Sequence, residues 1–277
     1  TKEEDTVERL LACSTHAALL FFTDTGKVYQ VPAYEVPEGT RTAKGKAIFN
    51  FLSLSTTERV TSLLAVPKAK KKESFYIVMV TKDGVIKKVA ADSFGTVRKN
   101  GLIAMTLHGG DLLRWAKLTG GKDEMILVSR KGQAIRFRET DIRPMGRTAA
   151  GVRSIRLGKG DEVVGMDVIE NAKAKTQSQK LLVIMEHGYG KQTVLGQYKI
   201  QKRGGSGIKT AKVTPKTGAV VSAQIVGGEE EELIAISRKG QVIRTGLPAI
   251  PSLSRSTQGV RIMKIEEGDA VASITTL

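Results

Sequence analysis

Seven consecutive residues, Gln201, Lys202, Arg203, Gly204, Gly205, Ser206 and Gly207, combine two adjacent cations with three glycines and no apolar side chain. Glycine lets a backbone turn tightly and approach a ligand closely. Successive N–H groups in such a loop can form a concave anion site. An ammonium beside a planar guanidinium fork suits phosphate. The chemistry on offer is phosphate binding. A hairpin loop with solvated charges has the same composition, so the heptad decides nothing alone.

The rest of the chain repeats its ingredients. An arginine stands four residues before a glycine at Arg41, Arg147, Arg203 and Arg255, and Arg98 stands three before Gly101. One exposed arginine is usually just solvated; five at equivalent places point to a shared track for a polyanion. Lys44, Lys46, Lys99, Arg143, Arg153, Arg156, Lys202, Lys209 and Arg261 lie nearby. A second set of cations follows tight turns: Lys27, Lys87, Lys88, Lys131, Arg136, Lys191, Lys239 and Arg244. Some of that set must be outward strand residues, and Lys191 is retained as a candidate contact. Small residues accompany the arginines, as at Thr148, Ala149, Ser256 and Thr257, and suit close approach of a sugar-phosphate backbone. No repeated Asn, Gln or aromatic side chain is placed to read base edges, so the pattern predicts a backbone binder with weak sequence preference.

Composition agrees. The 277 residues carry 44 Lys and Arg against 28 Asp and Glu, a net charge of +16 spread along most of the chain. Such a surface implies nucleic acid first and an anionic membrane second. Aromatic residues make up only 5%, which argues against base stacking as the main binding mode. Cys13 is the single cysteine and, with His16, His108 and His187, cannot build the usual structural zinc site. No metal or cofactor site is expected. The glycine loops do not sit between a parallel strand and a helix, so a dinucleotide or P-loop site is unsupported. The histidines have no carboxylate partner at motif spacing, so no catalytic residue is assigned. The longest apolar run, residues 17–22, is far too short to span a membrane. A soluble cytoplasmic protein fits this reading.

The elements that position these loops form a repeat. Turn glycines recur at Gly26, Gly84, Gly132, Gly188 and Gly240, with second glycines at Gly45, Gly101, Gly151, Gly207 and Gly259. The offsets within each pair are 19, 17, 19, 19 and 19 residues. Each first glycine separates two β-rich runs, the strongest short hairpin signal. Two further runs follow, giving four per unit. The third runs are residues 47–52, 102–107, 152–157, 208–213 and 260–265, and the arginine loop lies between second and third. Val, Ile and Leu alternate with polar residues in many runs, as in half-buried antiparallel strands. Short helical turns are expected only near residues 32–36 and 139–142.

Four-stranded units of this length are blades of a propeller-like disk. The expected fold is all-β: one domain over residues 1–277, with units at about 14–66, 75–118, 124–170, 180–226 and 232–277. Residues 6–13 match the end of the next unit, residues 58–65, so residues 1–13 are expected to close a truncated first blade, making six. Such a disk places the arginines around a rim. Bending B-DNA through half a turn in about 30 base pairs costs on the order of 10–15 kcal/mol. A dozen or so phosphate contacts of about 1 kcal/mol each offset that, so distributed cations make wrapping plausible where one loop would not.

Residues 34–47 (YEVPEGTRTAKGKA), 143–161 (RPMGRTAAGVRSIRLGKGD), 188–193 (GYGKQT), 201–207 (QKRGGSG) and 257–260 (TQGV) resemble the C-terminal domain of the bacterial DNA gyrase A subunit. The paralogous topoisomerase IV subunit is similar. The resemblance covers essentially the whole chain. It implies a six-bladed β-pinwheel with hairpins exchanged between blades and double-stranded DNA wrapped around its rim. It also implies partners: the remainder of gyrase A, with gyrase B, in an A2B2 holoenzyme that introduces negative supercoils. The bacterial cytoplasm, at the nucleoid, is the implied location. The family's cleavage tyrosine, magnesium site and ATPase map to no residue here, so the chain is expected to be non-catalytic. The family's box, of the form QRRGGKG, belongs to the first blade, whereas 201–207 falls in the fourth complete unit and carries Ser206 in place of the box lysine. DNA binding carries over to it, but not the box's special role in the wrap. A propeller serving as a protein-interaction platform is the alternative from another class.

Overall fold

The computed structural model describes residues 11–39, 45–66, 75–95, 97, 100–170, 178–227 and 231–277. The first repeat forms β1 (Ala18–Thr23), β2 (Lys27–Pro32) and β3 (Val60–Val66). The second forms β4 (Tyr76–Thr81), β5 (Val85–Ala90), β6 (Leu102–Ile103) and β7 (Leu113–Thr119). The third forms β8 (Glu124–Ser129), β9 (Gln133–Arg138), β10 (Val152–Arg153) and β11 (Val163–Ile169). The fourth forms β12 (Lys180–Met185), β13 (Tyr189–Val194), β14 (Ile208–Lys209) and β15 (Val220–Val226). The fifth forms β16 (Glu232–Ser237), β17 (Val242–Gly246), β18 (Val260–Arg261) and β19 (Val271–Thr276).

The first two strands of each repeat meet at the turn glycines, whose φ values lie between 76° and 85°. That is the left-handed region where a side chain is strained. After each second strand the chain makes a short 3-10 turn, at Ala33–Glu35, Ala91–Phe94, Glu139–Asp141, Leu195–Gln197 and Leu247–Ala249. Two of the five are at the places the sequence indicates.

The third runs are shorter than expected, pairing over only two residues. They join the sheet of the preceding repeat, an exchange between blades of the kind the resemblance implies. The sheet orders are β3-β1-β2-β6, β10-β5-β4-β7, β11-β8-β9-β14, β15-β12-β13-β18 and, with three strands, β17-β16-β19. The pairing is short because the next N–H groups turn inward. Ala104 and Met105 donate to Gly26 O, Thr210 to Gly132 O, and Ile262 and Met263 to Gly188 O. In the first repeat the equivalent residues form a 3-10 turn, Ile48–Asn50.

Five sheets are therefore present among the described residues, which corrects the expected six. Of the segment assigned to a truncated blade, residues 1–10 lie outside the described residues, and Leu11, Ala12 and Cys13 are exposed with no strand pairing.

The chain divides into two compact units, Thr1–Gly121 with Ile142–Val152, and Lys122–Asp141 with Arg153–Leu277. In the first unit, Leu20, Phe22, Ile77, Met79, Phe94 and Met105 share one apolar cluster, with Phe22 and Phe94 edge to face at 6.0 Å. In the second, one cluster joins Ile126, Val128, Leu181, Val183, Tyr198 and Ala223. The first strands of the middle repeats are buried on both faces rather than alternating, because each sheet is covered on both sides. Their continuous apolar runs, such as residues 77–80, are what a doubly covered strand requires. Strand β11 lies so close to β15 that a Cβ on Gly165 would overlap the Ala223 carbonyl.

Candidate nucleic-acid interface

Among the described residues, the arginine loops of the third, fourth and fifth repeats lead into the exchanged strands β10, β14 and β18. In the second unit, Gln201 N–H donates to Arg136 O at 2.7 Å, Gly204 N–H to Ser154 O at 2.6 Å, and Arg156 N–H to Gly205 O at 2.8 Å. Gly207 has φ +74°, and a Cβ there would lie 2.5 Å from the Ala134 carbonyl. The glycines thus allow backbone to lie on backbone. Because Gln201 and Gly204 donate internally, the heptad is not an open anion nest. Gln201 Nε2 is buried without a partner among the described residues.

The repeated arginines are tied down as well. Arg203 Nε donates to Asp141 O at 2.9 Å and its Nη1 to Arg153 O at 3.0 Å. Arg255 Nη1 donates to Lys209 O at 3.0 Å. These guanidiniums and Arg147 are half-buried. Fixing a charged head to carbonyls leaves part of its field facing solvent while its donors hold the loop.

The freer charges are their neighbours. Arg153, Arg156, Lys202, Lys209 and Arg261 are exposed in the second unit, and Lys46 and Arg143 in the first. The bonds from residues 203–205 to residues 153–156 bring Arg153, Arg156, Lys202 and Arg203 together. The Arg255–Lys209 bond and the Lys212 N–H to Thr257 O bond at 3.0 Å join the next pair of loops in the same way. Lys212, exposed beside this track, escaped the sequence reading because it precedes no glycine at the repeated offset. The Arg261 guanidinium lies 5.7 Å from the centre of the Tyr189 ring. Arg41, Lys44, Arg98 and Lys99 lie outside the described residues.

Lys191 departs from expectation most clearly. It is wholly buried, and its Nζ donates to Ser254 O and Arg255 O at 2.6 Å and to Thr257 Oγ1 at 3.1 Å. It supports the Arg255 loop from inside and offers nothing to a ligand at the surface. Lys87 does the same in the first unit, donating to Ala104 O at 2.8 Å, Ala149 O at 2.9 Å and Arg147 O. Burial, with the nearby arginine of each loop adding to it, lowers both ammonium pKa values to about 8. A signal was available: Val85, Lys87 and Val89 share one face of a strand, so Lys87 points where its apolar neighbours point.

The first repeat replaces this lysine with Tyr29, which donates to Glu58 Oε2 at 2.9 Å. Thr25 Oγ1 donates to Glu58 Oε1 at 2.7 Å, Ser55 N–H to Oε2 at 3.1 Å, and Lys27 pairs with it at 3.1 Å. Burial alone would raise the carboxyl, but these donors outweigh it and hold the pKa down to about 2. Burial and the bond to Glu58 push Tyr29 up to about 12.

Aspartates ten residues after the second glycine fix the hairpin tips. Asp111, Asp161 and Asp269 accept the N–H of Asp83, Lys131 and Lys239 at 2.9, 2.9 and 3.1 Å. The recurrent Gly-Asp pair is a signal in the sequence that the charge pattern overshadows.

The family model described as "DNA gyrase C-terminal domain, beta-propeller" matches residues 17–67, 76–119, 123–170, 179–227 and 231–277, one segment per repeat. The DNA gyrase A protein of Staphylococcus epidermidis (strain ATCC 12228 / FDA PCI 1200) is 39% identical over 274 residues, covering 99% of this chain and 30% of that protein. The DNA gyrase A protein of Staphylococcus aureus (strain MRSA252) is also 39% identical over the same shares. The chain thus spans about 30% of the length of these relatives. Among solved structures, the C-terminal domain of DNA topoisomerase IV superposes with a TM-score of 0.86 at 23% identity, over 100% of this chain and 85% of that one. A DNA gyrase A C-terminal domain superposes at 0.77 with 25% identity, over 95% and 83%. With every repeat matched, the chain belongs to the DNA gyrase C-terminal domain, beta-propeller, family.

Proposed function

We propose that this chain binds double-stranded DNA through its sugar-phosphate backbone, bends it along the loop cations, and supports negative supercoiling by a gyrase holoenzyme. The observation that carries the reading is the lacing of successive loops, which brings the exposed Arg153, Arg156 and Lys202 together and joins exposed Lys209 to the Arg255 loop in the same way. Point charges on glycine-rich loops suit phosphate and carry little base information. The named relatives at 39% identity are gyrase A proteins, which favours gyrase over topoisomerase IV, whose similarity rests on fold. In this reading the partners are DNA, the remainder of gyrase A, and gyrase B in an A2B2 assembly, in the bacterial cytoplasm. Strand cleavage and ATP hydrolysis belong to those other parts, and this chain needs no cofactor.

The test is a topology assay. Relaxed circular DNA is incubated with the chain and a relaxing topoisomerase, then deproteinised and resolved by gel. A shifted linking-number distribution is expected. The quadruple variant R153A/R156A/K202A/K209A, with an unchanged circular-dichroism spectrum, should abolish the shift. Full retention would sink the proposal. Salt-insensitive capture of a protein with no DNA affinity would point instead to an interaction platform.

A further inference from the structure

The last residue of each short strand opens a recurring four-residue segment: 103–106, 153–156, 209–212 and 261–264. The inner residues turn toward the core. Ser154, Ile155, Thr210 and Ala211 are at most 2% exposed. The ends are exposed cations: Arg153 with Arg156, Lys209 with Lys212, and Arg261 with Lys264. The backbone between them is held from several sides. Inner N–H groups donate to the preceding sheet, Thr210 to Gly132 O and Ile262 to Gly188 O, both at 2.8 Å. The first carbonyl accepts the next loop arginine, Arg153 O from Arg203 and Lys209 O from Arg255, both at 3.0 Å. The last N–H donates to that same loop, Arg156 to Gly205 O at 2.8 Å and Lys212 to Thr257 O at 3.0 Å. Two cations fixed on such a frame lose less freedom when a ligand arrives than cations on a loose loop.

The second repeat builds the same frame without the charges. Ala104 and Met105 are buried. Ala104 N–H donates to Gly26 O at 2.9 Å, and Thr106 N–H donates to Ala149 O at 3.3 Å. At its ends, however, stand Ile103, which is 50% exposed, and Thr106, whose Oγ1 donates to Thr148 O at 2.7 Å. An isoleucine half in solvent adds nothing to the core. It occupies the place where three other repeats present a cation.

We propose that Arg153 with Arg156, Lys209 with Lys212, and Arg261 with Lys264 are preformed clips for the phosphates of double-stranded DNA, and that Ile103 with Thr106 is a blank clip that limits the grip. The hold on DNA is then concentrated on the second compact unit, which contains all three charged clips. Lys212 and Lys264 join the contact residues, although neither precedes a glycine at the arginine offset. The inference rests on the DNA-binding proposal and adds to it where the grip lies and which residue interrupts it.

Fluorescence-anisotropy titrations of the whole chain on a duplex of about 30 base pairs, repeated over a range of salt, test it. The double variants R153A/R156A and K212A/K264A should each weaken binding roughly tenfold or more and lower the salt slope by about two. The decisive arm is a gain. Ile103→Lys charges the blank clip, so it should tighten binding and steepen the slope by about one. Its control, Ala272→Lys, adds the same charge at an exposed position of β19. The equivalent strands β11 and β15 lie at the sheet edge opposite the short strands, so the control should keep the parent slope. Ile103 and Ala272 are both exposed, and neither change should unfold the chain. If the parent binds DNA and the double variants keep its slope, the clips are overturned while DNA binding stands. The same holds if Ile103→Lys and Ala272→Lys behave alike. A parent with no affinity for DNA at any salt would overturn the DNA-binding proposal and the clips with it.

Discussion

Lys191 and Lys87 are buried cations that hold loops by their carbonyl oxygens, much as a bound metal ion would. Each is protonated in both folded and unfolded states below about pH 8, where the full cost of burying its charge is present. As pH rises from about 8 toward 10, the folded chain loses these protons first, and the unfolded state then binds more. Stability therefore rises with pH in that window, by about 3 kcal/mol per lysine. In Lys191→Met half of this rise should vanish in urea melts. At pH 7 the variant should lose about 1–3 kcal/mol, because the carbonyls of Ser254 and Arg255 are left without a donor. Glu58 has the opposite sign. Its carboxyl is held at about 2, so its stabilisation is complete above about pH 4.5 and disappears as pH falls through 2. Glu58→Gln should cost about 2–3 kcal/mol at pH 7 and should flatten the thermal midpoint between pH 4.5 and 2. A variant with the same acid dependence as the parent would contradict this account.

Elements were legible where the signal is local. Turn glycines between β-rich runs placed the hairpin turn of every repeat, since a hairpin is fixed by its own turn. Exchange of the third strand was not readable from residues, because two paired residues carry too little pattern and their partner lies a whole repeat away. Lysine in a β run reads as surface, so Lys191 went to the wrong side. The cation track was legible as a position in the repeat, but which cations stay free depended on carbonyls that only the exchange brings near. Gly207 tests the exchange directly. Gly207→Ala combines a positive φ with a Cβ 2.5 Å from the Ala134 carbonyl, and should cost about 1–3 kcal/mol. The damage should be local. Hydrogen exchange should accelerate at Ile208 and Lys209 and at their partners Ala134 and Gln133, with the β12–β13 hairpin unchanged. Uniform acceleration throughout the chain would show that the short strand is not a separable docking element.

At the scale of the whole molecule, a net charge of +16 makes any attraction to DNA depend on salt, but the dependence counts only charges that meet phosphate. For B-DNA the logarithm of the binding constant falls by about 0.9 per neutralised phosphate for each tenfold increase in salt. Six to ten contacts would lower affinity by about 10³–10⁵ between 50 and 200 mM salt. This separates two kinds of lysine that the sequence treats alike. Lys202→Ala and Lys209→Ala remove exposed charges and should each reduce the slope by about one, equally for unrelated DNA sequences. Lys191→Met removes a charge that never reaches the surface. It should weaken binding by loosening the Arg255 loop while leaving the slope of the parent. Fluorescence-anisotropy titrations over that salt range, on a duplex long enough to bend, give both quantities for each variant. If Lys191→Met lowered the slope as Lys202→Ala does, its ammonium would have to meet phosphate, and the carbonyl cage would have to open when DNA binds.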